Sequence, residues 1–274
     1  MLEAMIGGQF AAVAAVRAAL PDIARAALAL EARLREGGRL VYVGAGTSGR
    51  LAVQDGAELM PTFGWPSDRL VLIIAGGEQA MTRAMEGAED STEQIIALLQ
   101  HHCVDRQDAV VAVAASGTTP FTLQCLRQAN TLSALTIAIA NNRDTPLLGE
   151  AMHPILLETG AEPIAGSTRM NAGTAQRIAL TLMSTLVMIR LGHVYRGLMV
   201  DVQATNAKLS RRKEKMLQSL SGKSDAEVRE ALRRADGNLK VGVLLLRGCS
   251  AERAQELLQR TGGRLRPAID LADL

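Results

Sequence analysis

Short, uninterrupted apolar runs that alternate with helical stretches constrain this chain more than any other feature. Residues 40–43, 70–75, 109–115, 135–140 and 154–157 are such runs, each bounded by Gly, Asn or Asp. They read as strands buried on both faces, not as the half-solvated kind that alternates apolar with polar residues. Strands separated by helices imply right-handed crossovers and a doubly wound, parallel α/β sheet flanked by helices, with ligands at the carboxyl ends of the strands. Residues 11–35 are Ala-, Leu- and Arg-rich with helical spacing, broken at Pro21 and stopped at Gly37-Gly38, which predicts two helices before the sheet.

From Asn171 onward the pattern is helical without strands. Residues 175–191 form a long, almost wholly apolar segment that belongs inside the protein or at a subunit contact. Residues 197–220 run from apolar into the basic stretch Lys208-Leu209-Ser210-Arg211-Arg212-Lys213-Glu214-Lys215, read as a solvated helix face. After Ser221-Gly222, a start signal at Ser224-Asp225 and breaks at Gly237-Asn238, Gly248 and Gly262-Gly263 predict a compact set of short helices. The expected division is a large domain over 1–220 and a small all-helical domain over 221–274.

A length of 274 residues accommodates one large α/β domain and such an appendage. With 30 Lys+Arg against 28 Asp+Glu and only 2% aromatic residues, the chain has neither the field nor the stacking surface for nucleic acid. Cys103, Cys125 and Cys249 are scattered and odd in number, so neither a disulfide framework nor a zinc cluster follows, and a reducing cytoplasm fits. Residues 1–20 carry Glu3 and Arg17 with no basic region before a short apolar run, so no secretion signal is expected. No apolar run is expected to reach the length of a membrane span.

Gly, hydroxyl and acidic residues concentrate in four loops: Gly44-Ala45-Gly46-Thr47-Ser48-Gly49-Arg50, Glu86-Gly87-Ala88-Glu89-Asp90, Ser116-Gly117-Thr118-Thr119-Pro120 and Gly166-Ser167-Thr168-Arg169-Met170. The first matches the glycine spacing of dinucleotide loops after a strand. That reading also needs an acid at the end of the second strand, where this chain has Ala75-Gly76-Gly77 and places Glu78 too late. Thr47 and Ser48, with Ser116, Thr118 and Thr119 one unit later, instead suit a single terminal phosphate; the plainer possibility is that Ser48 and Ser116 cap helices. Glu58 and Glu89 are the candidate proton carriers, and surface placement is the ordinary fate of either. Ser91 and Gln94 have the spacing of a capping box, so acids near Glu89 also suit a helix start. Glu58 lies ten residues after Ser48, about 15 Å along a continuous helix, which points to service in a neighbouring subunit's pocket. His101, His102, His153 and His193 lack metal-ligand spacing, and no metal site is expected.

Those four loops, with Val41-Tyr42-Val43 before the first, Ile74-Ala75-Gly76-Gly77-Glu78, and Leu198-Met199-Val200-Asp201-Val202-Gln203-Ala204-Thr205-Asn206, resemble the N-acetylmuramic acid 6-phosphate etherase family of the sugar isomerase (SIS) superfamily. The final helices, around Ala235-Asp236-Gly237-Asn238-Leu239-Lys240, resemble that family's small ubiquitin-associated-like domain. The resemblance implies a cytoplasmic homodimer that cleaves the D-lactyl ether of N-acetylmuramate 6-phosphate in cell-wall recycling, releasing D-lactate and N-acetylglucosamine 6-phosphate without metal or nucleotide. It makes Glu58 the proton donor and Glu89 the second acid/base, with Gly46, Thr47, Ser48, Ser116, Gly117, Thr118, Thr119, Ser167, Thr168 and Arg169 holding substrate. Two alternatives share the fold: a non-catalytic sugar-phosphate regulator and an aldose–ketose phosphate isomerase. Where the family commonly has Lys after Ser-Thr-Arg-Met, this chain has Asn171, one positive charge fewer.

Overall fold

The computed structural model describes residues 1–93, 95–204 and 206–273. The capping box expected from Ser91 and Gln94, and Thr205 of the 198–206 stretch, therefore fall partly outside the described residues. The chain divides into two units: Met1–Ala57 with Pro66–Val187, and Glu58–Trp65 with Met188–Leu274. The expected boundary at 220/221 falls inside the second of these, at the last residue of a helix that spans Ala207–Ser221.

The first unit opens with helices α1 (Leu2–Ala18) and α2 (Leu20–Arg35), with Pro21 in the first turn of α2, where its missing N–H costs nothing. Five strands follow: β1 (Leu40–Gly44), β2 (Leu70–Ile74), β3 (Ala109–Val113), β4 (Leu135–Ala140) and β5 (His153–Leu156). Interleaved are helices α3 (Gly46–Ala57), α4 (Leu59–Phe63, in the second unit), α5 (Ile95–His101), α6 (Pro120–Thr131) and α7 (Pro146–Glu150); α8 (Asn171–Leu191) follows the sheet. All pairings are parallel, in the order β2-β1-β3-β4-β5. The order reverses between β1 and β3, whose carboxyl ends run into separate loops, the position at which open parallel sheets bind their ligands.

Helices cover both faces. Val41, Val43, Val71 and Ile73 pack against Ile95 and Leu99 of α5 and Phe121 and Cys125 of α6, while α3 lies opposite with Gly56 close to Tyr42 and Leu72. That two-sided burial is why the strands carry so little polar alternation. Beneath α3, Tyr42 donates to Asp55 at 2.8 Å, and Thr181 and Ser184 of α8 donate to the same carboxylate at 3.2 and 3.3 Å. Burial raises the pKa of the Asp55 carboxyl above its ordinary value, against the opposing pull of those three hydroxyls and Arg177. The charged form is thus disfavoured in the fold, so this carboxyl's contribution to stability is largest below the unfolded pKa and falls as pH rises through the folded one. Asp55→Asn is expected to flatten the fall in stability between about pH 4 and pH 7, as read by urea unfolding at both values. An unchanged slope would remove Asp55 as its source.

The long helix differs from expectation. It begins at Asn171, reaches 21 residues and is long and apolar enough by composition to cross a membrane, at a mean hydropathy of 1.2. Yet 56% of its apolar window is buried inside the protein, and it carries the inward polar residues Gln176 and Ser184. It is a core helix whose apolar girth covers protein, and the expectation that no run attains span length was wrong.

The second unit also departs from the helix-only expectation. After α8 the chain forms an antiparallel ribbon, β6 (Val194–Tyr195) and β7 (Leu198–Met199), so 197–220 is not one continuous helix. Arg196 and Gly197 both take positive φ, 50° and 75°, the two-residue turn whose twist suits a hairpin. Helices α9 (Ala207–Ser221), α10 (Asp225–Arg234), α11 (Leu239–Leu245), α12 (Ala251–Arg260) and α13 (Leu265–Ala272) complete the unit around Leu217, Val228, Leu244, Leu257 and Ile269. The start at Ser224 is a reciprocal capping box: its hydroxyl accepts from the Glu227 amide while the Glu227 carboxylate takes the Ser224 N–H.

Candidate functional site

Two hydroxyl-bearing loops leave the sheet at its switch point. The first joins β1 to α3 so tightly that a Cβ on Gly49 would stand 2.8 Å from the Gly44 backbone, which brings the helix start directly over the strand end. Gly46 has φ +52°, and a Cβ there would meet the Glu89 carboxylate oxygen at 2.6 Å. Thr47 is half-buried and Ser48 buried in the first turn of α3. Arg50, next in the loop, donates to the carbonyls of Ala80 and Arg83 at 2.7 and 2.9 Å, anchoring the segment that leads toward Glu89 and not reaching for an anion.

The second loop joins β3 to α6. Ser116 does not cap the helix: its hydroxyl accepts from the Thr118 amide at 3.2 Å and lies 3.3 Å from that of Thr119, while Thr119 is the N-cap residue. Ser116 and Thr118 are exposed and Thr119 is half-buried, leaving hydroxyls at the rim of the crevice. Gly117 accepts from the Leu147 amide at 3.1 Å, which ties the loop to α7. The carbonyl of Glu89 accepts from the Phe121 amide at 2.9 Å, so the acid's backbone is pinned to the start of α6 while its carboxylate stands beside Gly46. Glu89 thereby bridges both loops. An open cleft of about 760 Å³ along the β2 edge borders it through Ala88 and Ser91, with largely apolar walls that include Ile74 and Phe121.

The third loop comes close through its helix. The Gly173 amide donates to the Thr168 carbonyl at 2.8 Å, and a Cβ on Gly173 would stand 3.5 Å from the Thr47 methyl. Ser167 is half-buried, and Thr168 and Arg169 are exposed. The N-terminus of α8 is not open to an anion from this loop, because Glu162 already accepts the amides of Asn171 and Ala172 at 2.8 and 2.9 Å. No spacing rule pointed to Glu162, nine residues ahead of the helix it caps. Asn171 is buried and bonded to Gln9 and to the Ala161 carbonyl, a packing position against α1 and no substitute for a cation at a phosphate.

Glu58 belongs to the second unit, where it is exposed at the N-cap of α4. The structure therefore gathers Gly46, Thr47, Ser48, Glu89, the 116–119 loop and the 166–170 loop within the first unit and assigns Glu58 to the second. Among the described residues, no three His, Cys, Asp or Glu side chains are placed to hold a metal ion. Cys103, Cys125 and Cys249 are all free, and burial pushes the Cys125 thiol up to about 12, which makes it an inert core residue.

Comparison with known proteins identifies the family of the chain. Residues 22–130 match the family described as glucokinase regulatory protein N-terminal SIS domain, and residues 93–188 match the SIS domain. A solved chain from E. coli CFT073 superposes with a TM-score of 0.51 at 17% identity, covering 69% of this chain and 90% of that one, which is a likeness of fold. The N-acetylmuramic acid 6-phosphate etherase of Deinococcus radiodurans is 46% identical over 98% of this chain and 88% of its own length. That of Streptomyces coelicolor is 44% identical over 98% and 87%. Near-complete coverage at that identity, on a parallel sheet with hydroxyl loops at its switch point, places the chain in the N-acetylmuramic acid 6-phosphate etherase family.

Proposed function

We propose that this chain cleaves the D-lactyl ether of N-acetylmuramic acid 6-phosphate by elimination followed by hydration, with Glu58 and Glu89 as the proton carriers. The observation that carries the reading is the Glu89 carboxylate held against Gly46, between the two hydroxyl loops of the switch-point crevice. Hydroxyls of Thr47, Ser48, Ser116, Thr118, Thr119, Ser167 and Thr168, with Arg169, hold the substrate and its phosphate. In the open-chain sugar the C1 aldehyde acidifies the C2 hydrogen. One carboxylate takes that proton as the C3–O bond breaks, and a carboxylic acid protonates the departing lactyl oxygen. Lactate leaves and a C2–C3 alkene conjugated to the aldehyde remains. Water adds its oxygen at C3 and a proton returns to C2, giving N-acetylglucosamine 6-phosphate, so one water is consumed per ether cleaved. Glu58 is assigned to the lactyl oxygen and Glu89 to the carbon side.

Incubation with N-acetylmuramate 6-phosphate in ¹⁸O-labelled water tests the chemistry. Elimination and hydration put label on the C3 hydroxyl of the sugar; label in the lactate would establish displacement at the lactyl carbon instead. Absence of lactate with retained sugar-phosphate binding would favour a regulator, the reading suggested by the match over 22–130, and a ketose product would favour an isomerase.

A homodimer fits an exposed apolar stripe on α1, where Leu2, Ile6, Phe10 and Val13 recur at helical spacing with half or more of each side chain open. Cytoplasmic residence fits three free thiols. Gly46→Ala is expected to lower turnover at least about tenfold without unfolding the protein, since its methyl would displace Glu89 and occupy a left-handed backbone position. Wild-type kcat in that variant would show that Glu89 need not stand there.

A further inference from the structure

The segment that carries Glu58 is held by a half-buried cluster of polar side chains around the buried Lys240. We infer that Asp201, Lys240 and His193 form a positioning device for Glu58, through which the C-terminal helices keep that acid in place. The inference rests on the proposed role of Glu58 in proton transfer.

The eight residues Glu58–Trp65 group with Met188–Leu274, although the chain on either side of them belongs to the first unit. α4 within this segment is only five residues long, too short to be stable on its own hydrogen bonds. Its geometry has to come from its neighbours. At its end Gly64 donates to the Met60 carbonyl at 2.9 Å, and its own backbone lies so close to the Asp201 carbonyl that a Cβ would stand 2.5 Å from that oxygen. Trp65 is buried, and its ring meets the His193 imidazole edge to face with centroids 6.0 Å apart. The segment is therefore clamped on two sides, by Asp201 and by His193.

Those two residues lie against each other, and Asp201 is joined to the C-terminal helices by an ion pair. The Asp201 carboxylate lies 2.8 Å from His193 Nδ1 and 2.5 Å from Lys240 Nζ. The imidazole contact lies off the axis of a good hydrogen bond. Lys240 is buried in α11 and also donates to the Gly263 carbonyl at 2.7 Å, between α12 and α13. Lys213 of α9 feels the same carboxylate: burial lowers its pKa and Asp201 opposes that shift. Buried ion pairs add little net stability over apolar residues of equal volume, and the apolar core of this unit already holds its helices together. What the cluster adds is geometry: a single rigid point that fixes 64–65, 193, 201, 240 and 263 together, a few residues from Glu58.

The test uses the full chain and follows lactate release from N-acetylmuramate 6-phosphate. Lys240→Met is expected to lower kcat by about 10- to 100-fold with KM changed by less than about threefold, because a displaced acid harms the transition state more than binding. Lys240→Arg, which keeps a cation for Asp201, is expected to restore kcat to within about threefold of wild type. In a Glu58→Gln background Lys240→Met is expected to cause no further loss, since both changes remove the same proton transfer. Wild-type kcat in Lys240→Met, a full additional loss in the Glu58→Gln background, or failure of Lys240→Arg to restore would each overturn the inference. Wild-type kcat in Glu58→Gln alone would overturn the role of Glu58 itself, which is a different failure. Should Lys240→Met not fold, by circular dichroism, the isosteric Asp201→Asn takes its place under the same criteria.

Discussion

Glu89→Gln is expected to lower lactate release by about 10²- to 10⁴-fold, the usual contribution of a positioned acid or base, while leaving the thermal midpoint unchanged. The expectation of an intact fold follows from the surroundings. The Glu89 side chain is exposed, and the hydrogen bond that anchors its segment to α6 is accepted by its backbone carbonyl from the Phe121 amide. Glutamine preserves size and that carbonyl, and its amide still fits beside Gly46. What disappears is the capacity to accept a proton from C2. Steady-state lactate assays with a thermal melt as control check both halves, and unchanged turnover would remove Glu89 from the mechanism. Glu58→Gln is expected to fall as far, since loss of the acid leaves the lactyl alkoxide unprotonated as a leaving group.

Asp108→Ala is expected to destabilise the protein by about 3–5 kcal/mol, the typical cost of removing one partner from a buried pair. Asp108 is only 2% exposed at the start of β3. One of its oxygens accepts from the Arg39 backbone N–H at 3.2 Å and Nε at 3.0 Å; the other accepts from Arg39 Nη2 at 2.6 Å and from the Asp105 amide at 3.1 Å. Arg39 in turn donates to the carbonyls of His102 and Cys103, so one ion pair joins the entries to β1 and β3 with the end of α5. The hydrogen bonds it donates to Asp108 hold the Arg39 guanidinium above its already high ordinary pKa, so it cannot escape by losing its proton. Alanine would leave the Arg39 cation without its counter-charge, held only by the His102 and Cys103 carbonyls, and the Arg39 and Asp105 amides without their acceptor. Urea unfolding at pH 7 measures the loss, and a change under about 1 kcal/mol would contradict it. Arg143 with Glu158 is the counterexample within the same chain: equally bidentate but exposed, it contributes little.

The strands were legible because two-sided burial leaves a local mark. Residues 135–140 are the same in sequence and structure, and the others shift by one or two residues at their ends, where the apolar run continues into a buried turn such as Ala114-Ala115. The β6–β7 ribbon was not legible. Two-residue strands are too short to show a period, and the only local signal was the Arg196-Gly197 turn. The start of α8 was also set too late, since Asn171 to Thr174 look polar and breaking until Glu162 is known to cap them. Within the site, the loop glycines and hydroxyls announced themselves by composition. Ser116 as a loop brace, Arg50 as an anchor for residues 80–83 and Asn171 as a contact of α1 did not, because each depends on how the folded backbone presents its partner.

By itself the amino-acid order determined the parallel sheet, the succession of hydroxyl loops at strand ends, the capped helices after Ser224 and membership of a family. These rest on interactions between residues a few positions apart, or on motifs whose order survives in a linear chain. Tertiary structure alone decided that Glu89 stands over Gly46, that Glu162 occupies the α8 terminus, and that the Glu58 segment is clasped by Asp201 and His193. Such contacts join stretches from about ten to more than a hundred residues apart, and only packing of the folded backbone brings their charges within a few ångströms.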